Sequence, residues 1–185
     1  MKNSIESTFV YRYLKTNDIR GDIQWRDIHS DVQLEQSTAK DFIKEATLTL
    51  DPGETDISFF RSFKENDANR ILDVLDELRH RASGRGFSVN SGMMKLDFEV
   101  AHDDINDEGE LVRFFDNDKT KRECRHYGLL ILTKNSIERL EVVNALLELS
   151  NFYALKQKSK TPDTRDLLEF REPGVFFTLA RDTPI

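Results

Sequence analysis

Residues 119–126, KTKRECRH, gather Lys119, Lys121, Arg122, Arg125 and His126 around Cys124, the only cysteine of the chain. Three chemistries suit such a set. The cations supply enough charge for a few phosphate contacts, although no aromatic residue is interleaved with them to stack on bases. Arg122, Arg125 and His126 would favour a thiolate at Cys124, yet no third catalytic part accompanies the pair. Cys-x-His offers two metal ligands with no second pair at finger-like spacing. The reading adopted is an exposed cationic loop that acts, if at all, on an anionic partner, with Cys124 not a nucleophile.

A second cluster is acidic: Asp97, Glu99, His102, Asp103 and Asp104. If "MMKLDFEVAH" is a strand, Asp97 and Glu99 project from one face, and an oxygen-rich pair of this kind suits magnesium or manganese. That gives the alternative functional reading, a metal-dependent nuclease or phosphohydrolase with the basic loop holding phosphate. The plainer reading is the wet face of an amphipathic strand, with no metal and no cofactor. The acidic loop "DDINDEGE" lacks the glycine placement and closing glutamate of an EF-hand, and no Walker A loop, GxGxxG turn or GxSxG elbow is present.

The elements that must position these residues follow from periodicity. Phe9, Tyr11 and Tyr13 share one parity, as in a half-buried strand. Ala46, Leu48 and Leu50, then Ile57, Phe59 and Phe63, alternate around Pro52-Gly53. This predicts a hairpin over about 43–63 with a type II turn. Apolar residues at Ala68, Ile71, Leu72, Leu75 and Leu78 predict a helix over about 67–82. Strands are expected at "MMKLDFEVAH", "LVRFF", "YGLLIL" and "GVFFTLA". Asn135 and Glu138 form a capping box that opens a helix expected to run over about 135–158. Its apolar arc, from Ile137 to Leu155, leaves only Glu141, Asn144, Glu148 and Asn151 wet. The order of elements predicts one α+β domain over residues 1–185, with two main helices and a mostly antiparallel sheet.

The chain has 185 residues, a net charge of −7 and a pI of about 5.2. A negative surface of this size repels phosphate backbones at long range, so nucleic acid is not the favoured partner, and it suits a basic one. A single cysteine, no secretory signal pattern and no apolar run of membrane-spanning length lead to the expectation of a cytoplasmic protein. The leading functional reading is a non-catalytic interaction or regulatory protein, an adaptor, chaperone-like factor or inhibitor, acting on a protein partner. The broad apolar arc of the second helix adds an expected homo-oligomer, with Leu146, Leu149 and Phe152 as interface residues.

Overall fold

The computed structural model describes residues 7–20, 39–50, 53–81, 90–118, 124–157, 168–172 and 175–179. These residues form an α+β fold with eight strands, β1 (Phe9–Leu14), β2 (Ile57–Ser62), β3 (Asn90–Asp97), β4 (Val112–Asp116), β5 (Cys124–Ile131), β6 (Ser150–Gln157), β7 (Leu168–Glu172) and β8 (Val175–Leu179). The helices are α1 (Asp67–Arg81), α2 (Phe98–Ile105) and α3 (Ser136–Glu148), with 3-10 turns at Thr16–Asp18, Ala39–Asp41 and Glu45–Leu48. The strands lie in the order β4-β5-β2-β1-β3-β6-β7-β8, and every neighbouring pair is antiparallel.

Strand directions explain where the helices go. Both β2 and β3 run antiparallel to β1, so they are parallel to each other and need a crossover. The chain supplies α1. By the same logic β5 and β6 run the same way on either side of β2, β1 and β3, and α3 carries the chain across.

Both faces of the sheet are therefore covered. On one, Tyr11, Phe60, Met93, Cys124 and Tyr153 pack against Ile71, Val74 and Leu75 of α1. On the other, Val10, Leu14, Phe59, Met94, Leu96 and Leu129 pack against α2, α3 and the 3-10 turns. Strand β1 is consequently buried on both sides, Tyr11 toward one and Val10 and Leu14 toward the other, and is not the half-buried strand that Phe9, Tyr11 and Tyr13 suggest.

Several expectations need correction. The first arm of the expected hairpin is a 3-10 turn over Glu45–Leu48 that buries Thr47 and Leu48 together and leaves Leu50 exposed. Strand β2 pairs with β1 and β5 instead. Gly53 does adopt the positive φ, 90°, expected of it. The strand expected through Phe98 and Val100 stops at Asp97, where α2 begins. Helix α3 ends at Glu148 with Leu149 as its C-cap, and Phe152 and Leu155 beyond it belong to β6. The first helix matches its expected span to within a residue.

Splitting the long apolar run into α3 and β6 also narrows the apolar arc on which the oligomer expectation rests. Leu146 is fully buried and Phe152 nearly so, stacked on Phe42 with ring centroids 5.0 Å apart. Leu149 packs partly buried against the same core. Of the three residues named as an interface, Leu146 and Phe152 thus pack inside their own chain, while Leu149 is only partly covered. The inner side of the apolar arc is core, while Ile137 and Leu140 stay exposed.

Candidate interaction surface

The cationic stretch divides at Cys124. Lys119, Lys121 and Arg122 lie outside the described residues. Cys124, Arg125 and His126 open strand β5 and so are not a loop. Cys124 faces α1 and is buried. Burial, reinforced by the nearby carboxylates of Asp73 and Glu77, pushes its thiol far above the ordinary range. A thiol so held is the reverse of an activated nucleophile.

Arg125 pairs with Asp116 at 3.1 Å across the β4–β5 hairpin and stacks over Phe63. His126 Nε2 lies 2.9 Å from Ser58 Oγ and 3.7 Å from Asp56 Oδ1. Burial holds its pKa below the ordinary histidine value, against the pull of Asp56. Serine, histidine and aspartate meet here, but serine and carboxylate both approach the same ring nitrogen. A charge-relay triad needs them on opposite nitrogens. The other oxygen of Asp56 accepts from Asn117 Nδ2 at 3.0 Å, tying the end of the β4–β5 hairpin to the start of β2.

The acidic pair is also rearranged. Asp97 caps α2: one oxygen accepts from the backbone N–H groups of Glu99 and Val100, and the other from Thr8 Oγ1 at 2.9 Å. Three of its roughly four acceptor sites are thereby occupied. Glu99 sits in the first turn of the helix, and the two carboxylates do not share a strand face. Among the described residues no group of three ligating side chains is placed to hold a metal ion.

Sequence reasoning missed the most polar point of the core. Asp67, at the start of α1, receives Tyr11 Oη at 2.7 Å, Tyr153 Oη at 2.8 Å and Lys95 Nζ at 2.7 Å, with Arg70 at 3.4 Å. Burial opposes its charge, but the donors from Lys95, Tyr11 and Tyr153 prevail and leave the carboxyl below its ordinary range. Lys95 also lies over the Phe9 ring, 4.1 Å from its centroid. Strands β1, β3 and β6 are pinned to α1 through this one carboxylate. A fully satisfied network of this kind fixes packing.

The opposite arrangement appears between α2 and α3. A groove of about 460 Å³ runs there, with Ile105, Leu111, Val142, Ala145 and Leu149 on its floor. Its walls carry Asp104 and Glu108 on one side and Glu138, Glu141 and Glu148 on the other. Glu138 accepts from Thr133 Oγ1 and Glu148 from Lys40 Nζ. Asp104, Glu108 and Glu141 make no hydrogen bond or ion pair to a described residue. Ile137 and Leu140, 71% and 51% exposed, continue the apolar surface along the outer side of α3. On the far side of α2, Phe98 and Phe114 floor a second hollow of about 320 Å³ rimmed by Glu99, His102 and Asp103. The signals for this surface were in the sequence, as the acidic loop and the wet stripe of the second helix, but they lie some forty residues apart and only the fold joins them.

No helix among the described residues is long and apolar enough to cross a membrane. Comparison with protein-family models, curated proteins and solved structures returns no match.

Proposed function

We propose that this protein acts by binding, and that it takes a basic protein partner on the surface formed by α2 and α3. The observation that carries the reading is the groove itself: an apolar floor walled by five carboxylates, with no cation among its described lining residues. Carboxylates that stabilise a fold are found partnered, as Asp67 and Asp97 are. Like charges ringed about an apolar strip repel one another, and a cationic partner relieves that repulsion while covering the strip.

The test uses fluorescence anisotropy of a labelled lysine 14-mer against the full chain, with a glutamate 14-mer as control. The lysine probe binds, the glutamate probe does not, and the affinity falls steeply between low and physiological salt. The combined variant Asp104→Asn, Glu108→Gln, Glu141→Gln weakens lysine binding by roughly tenfold, the sum of three modest surface pairs. Absence of lysine binding, or binding that the triple variant leaves unchanged, overturns the proposal.

A further inference from the structure

From the geometry of the same groove we infer the form of its occupant: an amphipathic basic helix of a protein partner, about three turns long. The inference rests on the binding role proposed above and adds the shape of the bound segment.

Three features decide it. The first is length. On α3 the groove runs from Glu138 to Leu149, which at 1.5 Å per residue is roughly 16 Å, the length of three helical turns. The second is the placement of charge. Asp104 of α2 and Glu108 in the turn that follows it stand on one wall, and Glu138, Glu141 and Glu148 on the α3 wall, with the apolar floor between them. An occupant must present an apolar stripe downward and cations to both sides of it. A helix does this, because residues at i, i+3, i+4 and i+7 form the stripe and their neighbours project sideways. An extended strand alternates between two opposite faces, so its cations would point away from both walls into water. The third is a lysine that the chain itself supplies. Lys40, in the 3-10 turn Ala39–Asp41, donates to Glu148 at one end of the groove. One rim carboxylate, Glu148, thus holds an ammonium group, and Asp104, Glu108 and Glu141 receive none from a described residue.

The occupant is therefore recognised by apolar anchors over Val142, Ala145 and Leu149 and by lysine or arginine on both flanks. Ala145 is the smallest side chain among the described lining residues, which leaves room for an anchor residue there.

Three labelled 14-residue probes test this with the full chain: a leucine–lysine peptide of helical period, one of the same composition in strict alternation, and the lysine 14-mer. The helical-period peptide binds about tenfold more tightly than the alternating one, and circular dichroism shows it gaining helix on binding. Ala145→Arg, a change on the half-buried surface of α3, removes that preference while leaving the protein's thermal unfolding nearly unchanged. Equal affinity for all three peptides overturns the helix inference and leaves the basic-partner reading standing. Tighter binding of the alternating peptide, or a helical preference that survives Ala145→Arg in a folded protein, also overturns it. Failure of every cationic probe defeats the underlying reading and this one with it.

Discussion

The two faces of the sheet treat charge in opposite ways. Under α1, partly buried Asp67 is surrounded by donors from three strands. Between α2 and α3, Asp104, Glu108 and Glu141 face water beside apolar side chains, without such donors. The first arrangement holds a helix to a sheet. The second leaves its interaction energy to be realised with something outside the chain. The difference separates carboxylates that maintain this fold from carboxylates that a partner can use.

The sharpest way to break the comparison is to remove the satisfied side. Asp67→Ala strands the buried Lys95 and two buried tyrosine hydroxyls, and urea unfolding should show a loss of about 3 kcal/mol, the cost of leaving buried partners unpaired. Leu146→Ala, in the core beneath α3, should cost a comparable 2–5 kcal/mol without altering the association state, because that residue touches its own chain only. A loss under 1 kcal/mol at either position would show that the core is packed differently.

A smaller effect comes from acid. His126 is held below the ordinary histidine value by burial, so the folded state prefers it neutral and the unfolded state takes up the proton first. Its contribution is complete above about pH 6.5 and is lost as pH falls below that value toward the lowered one. Asp67, also depressed, loses its contribution only at lower pH, as its carboxylate is protonated. Stability measured from pH 8 to 5 should decline, and His126→Gln should flatten the decline. An unchanged slope in that variant would assign the effect elsewhere.

Smaller still is the cap. Asp97→Ala should cost about 1 kcal/mol through the first turn of α2. Cys124, buried and with its thiol far above the ordinary range, should react with iodoacetamide at neutral pH only at the rate of unfolding. Rapid alkylation of the native protein would contradict its placement against α1.

How much of this was legible in the sequence varies with what stops each element. Helix α1 carries its own start, at Asn66 and Asp67, and its apolar period, and so could be read almost to the residue. Helix α3 has no glycine at its end. Its last turn closes with Leu149 in an ordinary right-handed conformation, and Ser150 Oγ donates to the Leu146 carbonyl as the chain turns directly into β6. Nothing in the residues from Leu146 to Leu155 marks that junction, so helix and strand read as one element. Leu96, Asp97, Phe98, Glu99 and Val100 fit strand alternation equally well. What ends β3 is tertiary: Asp97 lies opposite Phe9, the first residue of β1, and the Phe98 N–H goes to Thr8. Met93 and Lys95, which alternation assigns to opposite environments from Met94 and Leu96, are all buried because the sheet is covered twice. The groove was legible as two acidic stretches. Their convergence was not, because α2 itself could not be foreseen.

One paired measurement tests the account most directly. Wild type and the Asp104→Asn, Glu108→Gln, Glu141→Gln variant are compared both in urea unfolding and in affinity for the helical-period leucine–lysine peptide. The account predicts unfolding midpoints that agree within the error of the titration, since these carboxylates face water, together with an affinity lowered roughly tenfold. Equal affinities, or a large fall in stability, would contradict it, because the acidic walls would then serve the fold and not a partner.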